Sequence, residues 1–334
     1  MNDRTAWLDS TVEEALEPEL EICDPHHHLW DYPDSRYLVD EFLADAGGGH
    51  RVIQTVFVEC LNGYRSDGPE ALRPVGETET VEQLAAASDS AGNATGVAAG
   101  IVGFADLSLG AAVRPVLEAH LEASQRFRGI RHVSAWDASD RIHNAHTNPP
   151  EQLLGDGKFR EGFACLHELG LSFDAWLYHP QIPELTDLAR AFPDTTIVLD
   201  HIGGPIGIGP YAGKREEIFD AWRRNIATLA QCDNVVVKLG GLTMSSAGFR
   251  WHKRETPPGS EELAELMGPY YRHCIEEFGA NRCMFESNFP VDRLSCSYVV
   301  LWNAFKRLSQ DYSETERSAL FHDTAKRVYR LDGR

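Results

Sequence analysis

The sequence lacks long apolar runs and is poor in basic residues, and these two shortages exclude several classes of protein. No stretch approaches the roughly 20 apolar residues that a membrane-spanning helix needs, and the acidic first segment is unlike a signal peptide. The chain has 31 Lys and Arg residues against 51 Asp and Glu residues, whereas phosphate backbones are bound by basic patches. We therefore expect a cytoplasmic protein that binds neither nucleic acid nor membranes, with its negative charge serving solubility.

Two common motifs are also missing. The seven cysteines are scattered, and none has the C-x-x-C spacing of a metal or redox site, so we expect reduced and mostly buried thiols. No G-x-G-x-x-G turn opens a helix after an early strand, which disfavours an open nucleotide-binding sheet. Because no internal repeat or low-complexity linker divides the chain, we expect an acidic lead-in over residues 1–20 and one domain over residues 21–334.

Eight short apolar runs are present, each bounded by turn residues and followed by a segment of helical spacing. In chain order the predicted strands are Glu21–Asp24, Val52–Glu59, Gly96–Phe104, Gly129–Ser134, Leu171–Tyr178, Thr196–His201, Val235–Leu239 and Cys283–Glu286. Between the sixth and seventh, one helix face is predicted at Phe219, Trp222, Ile226 and Leu229. This alternation predicts a parallel sheet, and eight repeats favour a single (β/α)8 TIM barrel of the α/β class over an open flavodoxin-like sheet.

Histidines follow two of the predicted strands, at the carboxyl ends where such barrels gather their catalytic groups. The first strand ends in Asp24-Pro25-His26-His27-His28, and alternation along an extended chain points His26 and His28 to the same side. His201 ends the sixth strand. These three imidazoles are candidates to bind one metal or one substrate, and the structural alternatives are a solvated histidine run and a hydrogen-bonded core histidine.

Carboxylate and guanidinium groups follow other strands. Glu286 and Asp292 bring two carboxylates to the end of the eighth strand, and a carboxylate can serve as a general base. Arg131 on the fourth strand suits bidentate recognition of a substrate carboxylate. Ordinary ion pairs are the alternative for each of these groups. Weaker candidates at the ends of other strands are Glu59, Asp174, Tyr178, His179 and Lys238.

The ordered set of motifs resembles the amidohydrolase-2 family, and most closely its lactonase branch, with 2-pyrone-4,6-dicarboxylate lactonase and the sugar-acid lactonases. The motifs are D-x-H-x-H, R-G-I-R, V-L-D-H-I-G, V-K-L-G-G-L and S-N-F-P, and the resemblance runs from about residue 21 to residue 331. It implies functional roles for His26, His28 and His201 and a substrate-binding role for Arg131. The eighth strand departs from the family pattern G-S-D-[WF]-P, because Asn288 stands where the water-activating aspartate is expected.

The resemblance and the candidate residues together predict a hydrolase that opens a lactone or related ester of an acidic small molecule. Since an amide cannot accept a proton at neutral pH, we expect Asp292 or Glu286 to replace the missing base and to act with His28 and His201. The expected substrate-binding residues are Arg131, Tyr178, Asn288, Glu59 and Lys238, with Tyr178 as a proton donor to the leaving oxygen.

Several questions stay open at the level of the sequence. A Zn2+ ion held by His26, His28 and His201 is one alternative, and metal-free catalysis is the other, as the resemblance implies for some lactonases. Two further functions are a non-oxidative decarboxylase or hydratase on the same barrel and a catalytically silent binding protein. The resemblance also implies a homo-oligomer, which the sequence does not test.

Overall fold

The strands of the chain form one curved parallel sheet and one small hairpin. The structure is a computed structural model, and it describes residues 4–331. In chain order its strands are β1 (Glu21–His27), β2 (Trp30–Tyr32), β3 (Ser35–Tyr37), β4 (Arg51–Val58), β5 (Gly96–Gly103), β6 (Phe127–Arg131), β7 (Ser172–Ala175), β8 (Ile197–Leu199), β9 (Val235–Leu239) and β10 (Cys283–Phe285). The large sheet has the order β1-β4-β5-β6-β7-β8-β9-β10, and each of these neighbours pairs in parallel.

The first strand and the chain that follows the last strand meet at the carboxyl-terminal rim. His28 N donates to Phe289 O at 2.8 Å, and Asn288 N donates to His26 O at 2.9 Å. The segment after β10 therefore runs parallel to β1 and brings the sheet close to full closure. The predicted (β/α)8 barrel is confirmed.

Helices cover the outside of the barrel. They are α1 (Thr5–Leu8), α2 (Val39–Ala46), α3 (Val75–Ser90), α4 (Arg114–Ala123), α5 (Gly157–Glu168), α6 (Ile182–Ala191), α7 (Arg215–Leu229), α8 (Ser260–Phe278), α9 (Tyr298–Leu308), α10 (Glu314–Ser318) and α11 (Thr324–Val328). In α7, Trp222, Ile226 and Leu229 are buried against the core and Phe219 packs beside them. The predicted apolar face of this helix is confirmed. Among residues 4–331, no helix is long and apolar enough to cross a membrane.

The structure differs from the predicted strands mainly at their ends. The first strand continues to His27, and the fourth begins at Phe127 and ends at Arg131. The hairpin of β2 and β3, in which Trp30 pairs with Tyr37, was not predicted. Strands of three residues are too short for an alternating pattern to stand out in the sequence.

The acidic segment before β1 is fastened to α9. Asn303 accepts from Leu16 N at 2.8 Å and donates to Glu13 Oε2 at 2.9 Å. Lys306 Nζ donates to Leu16 O at 2.7 Å and to Glu17 O at 2.8 Å. Buried polar side chains of one helix thus bind the backbone of the lead-in.

The C-terminal residues fill the interior of the barrel below the strand ends. Tyr329 is fully buried and packs with Val56, Val198 and Met284 from three strands. Its hydroxyl donates to Asp174 Oδ2 at 2.6 Å. The C-terminal segment is therefore part of the core, and it reaches the polar residues that line the upper barrel.

Candidate functional site

Three histidines converge at the carboxyl-terminal rim. The ring centroids of His26 and His201 are 4.5 Å apart, and those of His26 and His28 are 5.0 Å apart. His27 points away, with Nε2 2.8 Å from Thr55 Oγ1 and its ring stacked on Phe42. The structure therefore brings together the imidazoles of His26 and His201, which lie 175 positions apart in the sequence (201 − 26).

An unusual backbone places His201. His201 and Ile202 both have left-handed conformations, with φ of 53° and 52°, a region that β-branched residues adopt only under constraint. The segment after β9 packs very close to His201, because a Cβ added to Gly241 would lie 2.5 Å from His201 Cβ. A Cβ added to Gly240 would lie 2.3 Å from Glu286 Cγ. The two glycines after β9 thus leave room for two side chains of the site.

Glu286 joins two of the histidines through one carboxylate. Its Oε1 lies 2.6 Å from His201 Nδ1, and its Oε2 lies 2.9 Å from His26 Nδ1. Burial alone would raise the pKa of this carboxyl, but attraction to His201 and hydrogen bonds from both rings hold the pKa below its ordinary value. Because Nδ1 of each ring faces Glu286, the orientation of both imidazoles is fixed.

A buried lysine lies beneath the histidines. Lys238 Nζ donates to Asp174 Oδ2 at 2.6 Å, lies 2.9 Å from Asp200 Oδ1 and is 3.3 Å from His26 Nδ1. Burial opposes its charge, but the two aspartates outweigh burial and raise the pKa of Lys238 to about 12. The ammonium is therefore charged, and with Tyr329 it forms a polar network that runs from the lower barrel to His26.

Arg131 is paired within the protein. Its Nε donates to Glu59 Oε1 at 2.7 Å, and Nη2 donates to Glu59 O at 2.5 Å. Nη1 lies 3.4 Å from His26 Nε2 and 3.9 Å from Asp200 Oδ2. The guanidinium thus orients Glu59 and borders the histidine cluster, and each of its nitrogens already has a neighbour.

The segment after β10 contributes a second set of linked polar side chains. Asn288, which has a left-handed φ of 54°, places Oδ1 3.3 Å from His28 Nε2 and donates from Nδ2 to Asp292 Oδ1 at 3.3 Å. The other nitrogen of His28, Nδ1, lies 2.8 Å from Val58 O. Burial raises the pKa of Asp292 to about 7. Asp292 is thus a buried carboxyl group that can exchange a proton near neutral pH.

Two predicted residues have other partners. Tyr178 OH donates to His143 O at 2.6 Å, and burial raises the pKa of the Tyr178 hydroxyl to about 12. His179 Nδ1 lies 3.3 Å from Ile206 N, and its ring packs against Tyr211. Tyr178 therefore holds the loop between β6 and α5 through the backbone of His143, and His179 packs among neighbouring loop residues.

Comparison with known proteins shows which family has this architecture. A family model described as an amidohydrolase, Amidohydro_2, matches residues 23–331. The chain belongs to this family. It is accordingly a hydrolase of the amidohydrolase type, as the motifs predicted.

The amidohydrolase has relatives of similar length. A protein of Sinorhizobium fredii described as uncharacterized protein y4mH is 34% identical, covering 94% of this chain and 99% of the relative. An L-fucono-1,5-lactonase of Burkholderia ambifaria is 29% identical, covering 80% of this chain and 87% of the relative. A crystal structure of an amidohydrolase from Burkholderia multivorans with bound zinc has a TM-score of 0.70 and 23% identity, covering 93% of this chain and 99% of that one. The structural likeness supports the shared fold.

The donor atoms of this amidohydrolase fit a divalent metal. One donor atom each from His26, Asp200 and His201 lies within 4.8 Å of the others, and imidazole with carboxylate is a common set for Zn2+. Asp200 Oδ2 is buried and accepts no hydrogen bond. The predicted ligand set had His28 in the place of Asp200; the ring nitrogens of His28 lie 2.8 Å from Val58 O and 3.3 Å from Asn288 Oδ1.

Sequence reasoning missed several residues of the amidohydrolase site. Asp200 directly precedes His201, and its position at a strand end was the signal that could have found it. Trp176, whose ring centroid is 4.7 Å from that of His201, and His146, on the long loop after β6, gave no comparable signal. The sequence also departs from the family pattern G-S-D-[WF]-P at a second position. Glu286 stands in the place of its glycine, just as Asn288 stands in the place of its aspartate.

Proposed function

We propose that this amidohydrolase opens a lactone by adding water to its carbonyl group. The observation that carries the proposal is the carboxylate of Glu286 between His26 and His201, which fixes two imidazoles at the strand ends. Relatives named L-fucono-1,5-lactonase, at 29% and 25% identity, support it. These features favour acyl transfer to water over the other reactions considered.

The pairing of Arg131 bears on the class of lactone. An acidic substrate, which the sequence predicts, would need Arg131 to give up or share Glu59, and both are buried. Separating a buried ion pair is strongly unfavourable. We therefore favour a neutral, hydroxyl-bearing lactone. Its hydroxyl groups can form hydrogen bonds at the rim without separating Arg131 from Glu59.

The residues of the chain divide the reaction between them. Asp292 accepts a proton from water as the water oxygen forms a bond to the carbonyl carbon. His201, fixed through Nδ1, presents Nε2 to the carbonyl oxygen and polarises it. As the ring C–O bond breaks, its electron pair goes to the ring oxygen, which takes up a proton to give the hydroxy acid.

A divalent metal has a place in this scheme. His26, Asp200 and His201 would hold it, and the metal would then polarise the carbonyl group as a Lewis acid in place of His201 Nε2. We favour Asp292 over Glu286 as the base, because a carboxyl with a pKa near the working pH transfers protons most effectively.

The proposal is tested by measuring acid release. L-Fucono-1,5-lactone serves as the neutral probe and 2-pyrone-4,6-dicarboxylate as the acidic probe, each followed with a pH indicator in EDTA and with added Zn2+. Opening of the neutral lactone supports the proposal. Release of CO2 from an aromatic acid, with no lactone opened under either condition, would replace it with decarboxylation.

The base is tested with Asp292→Asn. We expect kcat to fall by roughly 10²–10⁴-fold, the usual contribution of a positioned base. Since the carboxylate form is needed and the pKa of Asp292 is about 7, wild-type kcat/KM should decline as the pH falls through 7. The variant should lack this decline, whereas Asp31→Asn, an exposed control near the rim, should keep it. Near-normal kcat in Asp292→Asn removes Asp292 from the mechanism.

A further inference from the structure

One histidine of the rim differs from the others in its position and exposure. His146 lies on the loop between β6 and α5, and 25% of its side chain is exposed. In contrast, His26, His28 and His201 are 0%, 4% and 3% exposed. Of these four imidazoles, His146 is the one that an arriving substrate meets first.

The loop that carries His146 is fastened on both sides of it. Tyr178 OH donates to His143 O at 2.6 Å, and Thr147 Oγ1 donates to Val133 O at 2.8 Å. Earlier in the loop, Asp137 N donates to Asn144 Oδ1 at 2.8 Å. These bonds flank His146 directly and hold it over the barrel mouth.

A buried carboxylate orients the His146 ring. Nε2 of His146 lies 3.2 Å from Glu59 Oε2, while the other oxygen of Glu59 accepts from Arg131 Nε at 2.7 Å. Glu59 is fully buried. Burial raises the pKa of Glu59, but Arg131 and His146 outweigh burial and lower it, so the carboxylate is charged. An ionised carboxylate that fixes one ring nitrogen leaves the other nitrogen free to act on a substrate.

We propose that His146 gives the proton that the leaving ring oxygen requires when the lactone opens. This inference rests on the proposed lactone hydrolysis and names the donor that the reaction lacks. The ring C–O bond breaks, its electron pair goes to oxygen, and that oxygen takes the proton on Nδ1 of the doubly protonated His146 ring, which leaves His146 neutral with its Nε2 proton facing Glu59. His146 then regains a proton from solvent, while the proton taken by Asp292 returns to solvent, so the cycle balances.

Tyr178, the donor that the sequence predicts, is poorly placed for the same role. Its hydroxyl hydrogen is already donated to His143 O. Using it on a substrate would break the bond that fastens the loop. In this arrangement Tyr178 is a positioning residue, and it acts by holding the backbone three residues before His146.

The proposal is tested with two lactones whose leaving groups differ in basicity. δ-Valerolactone releases an alkoxide, which needs a proton donor, whereas dihydrocoumarin releases a phenoxide, which is a much weaker base. For His146→Gln we expect kcat on δ-valerolactone to fall by about 10²–10⁴-fold, with much less change on dihydrocoumarin. Imidazole added to His146→Ala should restore part of the lost rate.

Controls separate this role from a structural one. His143→Gln alters the neighbouring histidine but keeps the backbone carbonyl that Tyr178 binds, so both lactones should be opened as by wild type. Equal losses on the two lactones in His146→Gln, or no loss on either, overturn the assignment of His146 and leave the lactonase proposal standing. If wild-type protein opens neither these two lactones nor L-fucono-1,5-lactone, the proposed function fails and the donor role fails with it.

Discussion

Replacing Gly241 with alanine tests how closely the chain after β9 positions His201. The new Cβ would lie 2.5 Å from His201 Cβ and 2.7 Å from its Cγ, whereas non-bonded carbon atoms pack at about 3.5–4.0 Å. His201 must therefore move by about 1 Å, the difference between the two separations. A displacement of this size can lower a rate by about 10²-fold.

Backbone strain adds a second, separable effect. Gly241 has a φ of 73°, and a left-handed conformation is unfavourable for an L-residue by roughly 1–2 kcal/mol. Gly92 is a matched control, because it has a φ of 76° and no atom lies within 4 Å of its added Cβ. Gly92→Ala should therefore share the loss of stability that comes from backbone strain and keep the activity.

Two measurements distinguish these effects. Urea unfolding gives the free energy of unfolding of each variant, and steady-state kinetics on the lactone identified for the enzyme give kcat/KM. We expect both alanine variants to lose stability through backbone strain, Gly241→Ala to lose more because its Cβ also crowds buried His201, and only Gly241→Ala to lose about 10²-fold in kcat/KM. If Gly241→Ala is as active as Gly92→Ala, the close approach does not position His201 and the reasoning is wrong.

Two further predictions concern the stabilising effect of buried charged groups in the barrel. Arg131→Met should destabilise the protein by about 3–5 kcal/mol in urea unfolding, because it removes the guanidinium that pairs with the buried carboxylate of Glu59. Adding Glu59→Gln should recover part of that loss, and a double variant no more stable than the single one would contradict this. Tyr329→Phe removes the hydrogen bond to Asp174 and should lower the free energy of unfolding by roughly 1.5–3 kcal/mol. This loss is measured as a shift of the urea midpoint at unchanged slope, and an unchanged midpoint would show that the hydrogen bond does not stabilise the protein.

The arrangement of the fold is predictable because it depends on local patterns. Short apolar runs alternate with helical spacing, and this alternation leads to a parallel sheet whose carboxyl ends share one face. From that rule alone, His26 and His201 belong at the same rim. The hairpin after β1 escapes the rule because its strands span three residues each.

The detailed chemistry of the site depends on side-chain geometry that spacing does not encode. Whether Arg131 meets a substrate or Glu59 depends on which partner lies within bonding distance, and the two residues are 72 positions apart. The same holds for His146, whose loop composition gives no indication of where its ring points. Likewise, the left-handed backbone at His201 and Ile202 has no local signature in the sequence.

The packing of Tyr329 and Leu331 inside the barrel has a consequence for biosynthesis. The side chain of Leu331 lies against β5, where it would be 3.0 Å from a Cβ at Gly100. The strands that precede them in the chain therefore surround a space that stays unfilled until residues 329–331 have been synthesised. Until then the nascent sheet lacks both this packing and the hydrogen bond to Asp174, so the final compaction of the barrel has to wait for these residues.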